Sequence, residues 1–241
     1  VKKQIRRISL KFHKSYIKNS LKYGSKAYLA DLSSFLHLRI DIFLINIFIN
    51  PLAVGFYSIA VAMVEKFWII DNSIATVLFP RISSETNKKK LKEFTPLVCR
   101  NTIFITFLAT FLILFFSRWI ITLFFSEAYL NSIQPFNILI IGAIAMSGWN
   151  IIANDFLGRG RPEINTCLNI GSLIVNVILN IFLIPTFGII GAAWSTTISY
   201  TVLCLSAVII YSKISENRIR DILFIKKSDY LIYKNFITFK K

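Results

Sequence analysis

Apolar residues in this chain gather into six long runs separated by short polar breaks, at about 27–49, 53–79, 97–116, 136–157, 164–184 and 189–211. Each run is close to the roughly 20 residues that an α-helix needs to cross a hydrocarbon core about 30 Å thick. The pattern predicts an all-α integral membrane protein with a six-helix transmembrane bundle over 24–211. Polar, basic segments flank it at 1–23 and 212–241. A seventh apolar stretch, 119–125 (WIITLFF), is too short to span. It is expected either to extend the third helix or to lie at the interface, where Trp119 suits an aromatic belt. Pro51, Pro96, Pro135, Pro162 and Pro185 fall at the edges of the runs. They are read as helix boundaries, where a missing N–H is tolerated.

Composition agrees with this class. Of the 241 residues 55% are hydrophobic and 17% charged, against about 25% charged in soluble domains, and the mean hydropathy is +0.61. The formal net charge of +16 would point to nucleic acid in a soluble protein. Here the cations sit between the apolar runs, as in loops that face anionic lipid, so no nucleic-acid partner is expected. With the N-terminus inside, segments 1–22, 81–96, 158–163 and 212–241 hold 8, 5, 2 and 8 Lys/Arg, 23 in all, and the opposite loops hold one, Arg118. That asymmetry predicts both termini in the cytoplasm and supports the helix count, because one missed span would scramble the alternation.

The ends add little chemistry. Residues 1–22 interleave cations with Ile5, Ile8, Leu10, Phe12, Tyr16 and Ile17, which suits an interfacial amphipathic helix or a disordered tail. The first 26 residues lack the apolar core of a signal peptide. A start at Val1 inside a basic stretch suggests an excerpt from a longer protein. The tail from Ser212 scatters Phe224, Tyr230, Tyr233, Phe236 and Phe239 among cations, so contact with the membrane surface is expected. Cys99, Cys167 and Cys204 stand singly in separate runs, so neither a zinc site, a disulfide framework nor a cofactor is expected.

Ionisable residues inside the runs are the first candidates for function, since each charge near the bilayer centre costs roughly 2.5–3.5 kcal/mol. Arg39, Asp41, Glu65 and Lys66 lie well inside; Asp31, Asp71, Arg100 and Asp155 lie nearer the ends. At about 100° per residue, Arg39 and Asp41 point roughly 200° apart and do not pair with each other. Asp41 shares a polar face with Ser34 and His37, which favours it for a hydrated side. An anionic substrate would instead want Arg39 there. The competing reading pairs both with Glu65 and Lys66 of the next helix.

The fifth run carries Asn165, Asn169, Ser172, Asn176 and Asn180 on one face. Lipid would leave those amides unsatisfied, so the stripe faces protein or a hydrated path. It serves either hydrogen bonding to a sugar-rich substrate or plain interhelical contact. Asn150 and Asn154 form a shorter stripe, with Asp155 at its end. Gly188, Gly191, Ala192 and Ser195 make a small-residue face for close helix packing. GxxxxGK, GxSxG and HExxH are all absent, and His13 and His37 have no evident partners. Transport therefore fits better than catalysis.

Residues 23–83 carry Arg39-Ile40-Asp41, then Gly55-Phe56-Tyr57-Ser58-Ile59-Ala60, then Leu78-Phe79-Pro80-Arg81. Residues 155–200 carry a Gly-Arg-Gly-Arg loop, the Asn-rich helix and Ile-Pro-Thr-Phe-Gly-Ile-Ile-Gly-Ala-Ala. In order and spacing these resemble the O-antigen and oligosaccharide-lipid flippases of the multidrug/oligosaccharidyl-lipid/polysaccharide exporter superfamily. The resemblance covers only the C-terminal half of such a twelve-helix, two-lobed protein. It implies that 1–23 is the inter-lobe loop and that an N-terminal half is a partner. It also implies transfer of undecaprenyl-diphosphate-linked O-antigen units across the bacterial inner membrane, with membrane lipids and polysaccharide polymerase machinery as further partners.

On that reading Arg39, Lys66, Asn150, Asn169, Asn176 and Asn180 are candidate substrate contacts. Asp41, Glu65 and Asp155 are candidates for ion coupling or intramembrane pairing. Alternatives are a flippase for another lipid-linked glycan (capsule, teichuronic acid or a peptidoglycan precursor), a small-molecule cation exporter and an inactive membrane fragment.

Overall fold

The structure, a computed structural model, describes residues 14–84, 88–226 and 229. The expectations for residues 1–13 and 230–241, and for the side chains of Lys26, Asp31, Asp71 and Arg81, lie outside the described residues. Five long helices follow one another: α1 (Lys14–Phe48), α2 (Pro51–Ser84), α3 (Lys88–Phe125), α4 (Ile133–Gly158) and α5 (Pro162–Ser215). A 3-10 helix (Glu127–Ser132) joins α3 to α4, and a short α6 (Ile219–Leu223) follows α5. Among the described residues there is no strand.

The fifth and sixth apolar runs both lie in α5. Its 54 residues would reach roughly 80 Å if straight, far beyond a bilayer core. The helix breaks at Gly188, with φ 60° and ψ −140°, a conformation open essentially to glycine. Beyond it the chain folds back. The Ser172 hydroxyl donates to the Ser199 carbonyl at 2.7 Å and the Asn176 amide to the Thr196 hydroxyl at 3.3 Å. In a continuous helix the first pair would stand about 40 Å apart. The limbs 162–187 and 189–215 are therefore antiparallel, and the expected six spans are present. A Cβ on Gly191 would stand 2.1 Å from the Leu183 carbonyl oxygen, so the close contact expected of the small-residue face occurs within this hairpin.

Proline placement departs from expectation in α3. Pro51 and Pro162 open helices and Pro185 precedes the Gly188 break, as their positions suggest, but Pro96 lies inside α3. Its missing N–H leaves the Lys92 carbonyl, four residues back, without an intrahelical donor. The Asn217 amide fills that gap at 2.8 Å, which is why the helix continues. Pro80, part of the Leu78-Phe79-Pro80-Arg81 motif, also lies inside its helix, α2. Residues 119–125 extend α3.

α4 is the central helix, packing on α2, α3 and α5, while α1 lies mainly on α5 and touches α2 lightly. One core gathers Phe136, Ile140, Tyr57 and Ile121 toward the end where α1 meets α2; the other gathers Trp149, Phe156, Tyr211 and Leu78 toward the basic end. The outside is apolar too: Phe111, Phe115, Trp119 and Leu123 of α3 are 72–82% exposed. Rows of exposed large apolar side chains are costly in water and at home in hydrocarbon. Pro51–Ile69, Lys92–Phe125, Glu127–Gly158 and Pro162–Ser215 are each long and apolar enough to cross a membrane. The last is doubled by its turn, and α1, which carries Arg39 and Asp41, packs along it as the sixth long limb.

The described start of the basic tail folds back onto α3. Arg100 holds Asp229 through two nitrogens at 2.5 and 2.6 Å and donates to the Asp221 carbonyl at 3.0 Å. Lys92 pairs with Glu216 at 3.1 Å. This strap borders an open cleft of about 320 Å³ between α3 and Asn217, Asp221, Lys226 and Asp229.

Candidate functional site

Three helices bring their polar side chains to one buried place. Asp41 of α1, Tyr57 of α2, and Asn176, Asn180, Thr196 and Ser199 from the two limbs of α5 are all inside the bundle. The α1–α5 contact sets the Asp41 face against the α5 hairpin. The three-and-four spacing of the asparagines keeps their amides on that same side.

Asp41 is the sink of the network. Its carboxylate accepts from the Tyr57 hydroxyl at 2.5 Å, the Thr196 hydroxyl at 3.1 Å and the Ile42 N–H at 2.9 Å. Behind Thr196 the donors line up in one direction. The Asn180 amide donates to the Asn176 side-chain oxygen at 2.9 Å, and the Asn176 amide to the Thr196 hydroxyl at 3.3 Å. Among the described residues no basic side chain pairs with Asp41, so neutral donors alone hold a carboxyl that is 2% exposed. The Asn180 Oδ1 is buried and without a partner among the described residues.

One turn along α1, His37 continues the column. Its Nε2 lies 3.1 Å from the Ser199 hydroxyl and 3.2 Å from that of Ser172. Both serine protons are directed elsewhere, Ser172 to the Ser199 carbonyl and Ser199 to the Thr196 carbonyl. Nε2 is therefore the donor to both oxygens. The Tyr200 ring packs edge-on against the imidazole, with centroids 5.3 Å apart.

The sequence candidates thus separate. Asp41 faces a closed hydroxyl-and-amide cluster, not the hydrated side that its polar face suggested, because the α5 hydroxyls pack over it. Arg39 points the other way and pairs with Glu65 of α2 at 2.7 Å, both side chains partly exposed. Half of the pairing alternative is therefore present, and Lys66, one residue on, is exposed. Asn169 donates to the Asn165 carbonyl and Asn165 to the Ala153 carbonyl, so these amides, with Asn176 and Asn180, serve contacts within the bundle. Asn150 is half-buried, and its carbonyl accepts the Asn154 amide. Asp155, fully buried, accepts the Thr95 hydroxyl at 2.6 Å and pairs with Arg159, whose guanidinium lies 5.7 Å from the Tyr211 ring centroid. It ties α3 to α4 at the basic end, apart from the Asp41 cluster.

Nothing in the sequence assigns Tyr57, Thr196, Ser199, Tyr200 or His37 to a common site. The signal available was the hydroxyl run Ser195-Thr196-Thr197-Ser199. It reads as small residues until the hairpin places it beside the asparagine stripe.

Comparisons with known proteins agree with this architecture. Residues 4–134 match a family model described as polysaccharide biosynthesis protein. A probable low-salt glycan biosynthesis flippase of Haloferax volcanii is 25% identical over 202 residues, which is 81% of this chain and 43% of that protein. A putative O-antigen transporter of Shigella flexneri is 28% identical over 184 residues, 73% of this chain and 42% of that protein. The fold is similar to that of the lipid II flippase MurJ in an inward closed conformation, with a TM-score of 0.71 at 16% identity. That likeness covers 97% of this chain and 51% of the other. The chain thus spans about half the length of the proteins it matches.

Proposed function

This chain belongs to the polysaccharide biosynthesis protein family, and from that premise we propose that it forms one lobe of a flippase for lipid-linked glycans. The finer reading is transfer of undecaprenyl-diphosphate-linked O-antigen or oligosaccharide units across the bacterial inner membrane. In that arrangement 24–211 is the six-helix lobe, 1–23 the loop from a preceding lobe and 212–241 a basic tail, with both ends cytoplasmic. An N-terminal half, membrane lipids and polysaccharide polymerase machinery are the partners. The work is translocation, with no bond made or broken.

The observation that carries this reading is a cation at membrane depth that is partly open: Arg39, 33% exposed on the α1–α2 seam beside Glu65. A guanidinium there suits a phosphate, which it can engage with paired N–H donors. Exposed Lys66 and half-buried Asn150 are the next candidate contacts. In this conformation Asn176 bridges the two limbs of α5, while Asn169 and Asn180 donate to Asn165 and Asn176 of their own limb, and all three reach substrate only where the α1–α5 contact opens. A lipid diphosphate carries about two negative charges. At about 2.3 kcal/mol per charge per 100 mV, outward movement gains up to about 4–5 kcal/mol from an inside-negative potential.

Asp41 is the coupling candidate. A buried carboxyl held by neutral donors, at the end of a donor chain that runs from Asn180 through Asn176 and Thr196, is suited to exchange a proton or a small cation as the helices around it move. Glu65 and Asp155 already have cationic partners and are assigned to pairing.

The test is restoration of O-antigen display in a bacterium lacking its own flippase, using the full protein. Arg39→Glu is expected to abolish display while membrane insertion stays normal. Normal lipopolysaccharide ladders from that variant would remove Arg39 from the site.

A further inference from the structure

Arg39 and Glu65 stand where an ion pair is hard to justify by packing. Their neighbours on the inner faces of α1 and α2 are buried: Asp41 and Ile45 on one, Val61 and Val64 on the other. Glu65 lies fourteen residues beyond Pro51, roughly 20 Å along the helix, so the pair sits well within the membrane. Two apolar side chains would close the seam at lower cost in desolvation. The Asp41 cluster closes separately through Tyr57 and Thr196, so it does not require the pair.

A carboxylate 2.7 Å from a guanidinium nitrogen occupies the donors that a phosphate would use. Any lipid phosphate that reaches Arg39 therefore competes with a carboxylate tethered beside it at high effective concentration. A phosphodiester head group brings one negative charge, no more than the carboxylate it would displace. A diphosphate brings about two charges and more acceptor oxygens, so it displaces Glu65 where the phosphodiester does not. Bilayers consist largely of single-phosphate lipids, and a bare arginine on a seam open to lipid would be filled by them. Selectivity of this kind is achieved by placing a competitor against the wrong ligand.

We propose that Glu65 is a specificity-determining residue, a tethered carboxylate that covers Arg39, excludes single-phosphate lipids and yields to lipid diphosphates. The inference rests on the reading of Arg39 as a phosphate contact. It adds that the acidic partner, rather than the arginine, sets which lipids enter.

The full protein in dodecyl maltoside micelles, which bring no phosphate of their own, titrated with farnesyl diphosphate and with farnesyl methyl phosphate, a phosphodiester of one negative charge, tests it. Wild type is expected to prefer the diphosphate. Glu65→Gln is expected to narrow that preference about tenfold, chiefly through tighter phosphodiester binding. Glu65→Asp keeps the charge on a shorter arm and is expected to narrow it less; it supplies the same ratio where Glu65→Gln does not fold. Binding that Arg39→Gln abolishes, with a ratio unmoved by either Glu65 variant, overturns the role of Glu65 alone. Absence of diphosphate binding to wild type, or binding unchanged in Arg39→Gln, overturns the reading of Arg39 and this inference with it.

Discussion

The Tyr57 hydroxyl of α2 donates to the Asp41 carboxylate of α1 at 2.5 Å, inside a bundle where these two helices otherwise touch lightly. The two residues are sixteen apart in sequence and meet because the chain reverses between Phe48 and Pro51. Thr196 shares the same carboxylate oxygen, so one atom joins α1, α2 and the α5 hairpin.

Removing one of those donors exposes the cost of the arrangement. A hydrogen bond to a charged group contributes about 1.5–3 kcal/mol, so Tyr57→Phe is expected to destabilise the protein by that order while filling the same space. Thermal melting of the purified protein in detergent measures it. An unshifted melting point would mean that the Asp41–Tyr57 bond contributes nothing to holding α1 on the bundle.

The strap is a different case, because both charges of its Arg100–Asp229 pair are buried. Breaking such a pair by removing one partner costs about 3–5 kcal/mol, whereas replacing both by apolar groups is often neutral. Arg100→Met alone is therefore expected to release residues 217–229 from α3, and Arg100→Met with Asp229→Leu to restore much of the docking. Limited proteolysis of the tail reads both. A double variant cleaved as fast as the single one would show that the geometry of the pair, rather than its charge balance, holds the strap.

Gly188 carries the hairpin. With φ 60° and ψ −140° it occupies a region that a side chain enters only with strain of order 1–3 kcal/mol. Gly188→Ala is expected to lower the yield of folded protein in the membrane. Gly191→Ala should be worse, since its Cβ would overlap the Leu183 carbonyl, backbone that cannot swing aside. Size-exclusion profiles of fluorescent fusions rank the two. Equal, wild-type profiles would be incompatible with the fold of α5.

What the sequence disclosed, and what it withheld, follows from the range of the forces involved. Hydrocarbon solvent acts on every residue of a span, so the six apolar runs are legible in the hydropathy pattern, while the extension of the third through Trp119 is one of two alternatives that the pattern leaves open. The partners of single polar groups depend on which helices meet. Arg39–Glu65 was one of two open pairings, and Asp41 was expected on a hydrated face because nothing in α1 reveals that the α5 hydroxyls cover it. Pro96 read as a helix end because its rescue comes from Asn217, 121 residues further on. The asparagine stripe was visible as a stripe, but its partners, Thr196 and Ser199, became evident only when Gly188 folded the two limbs together.

Orientation is the remaining inference open to direct measurement, and it follows from charge rather than contacts. The loop at 158–161 carries Arg159 and Arg161, while the stretch between α3 and α4, 126–132, carries no Lys or Arg. Cationic loops near span ends are retained on the cytoplasmic side. In a variant with its three cysteines replaced, a cysteine at Gly160 is expected to resist a membrane-impermeant maleimide in intact cells and to react after permeabilisation. A cysteine at Ala128 should react in intact cells. Residue 160 is exposed with open space around its Cα, its φ of 72° straining a side chain there without shielding it, and Ala128 is exposed as well, so burial does not limit either reaction. Labelling of both from the same side would require an odd number of crossings between them to be wrong. It would therefore remove α4 from the membrane, and with α4 the helix on which α2, α3 and α5 all pack.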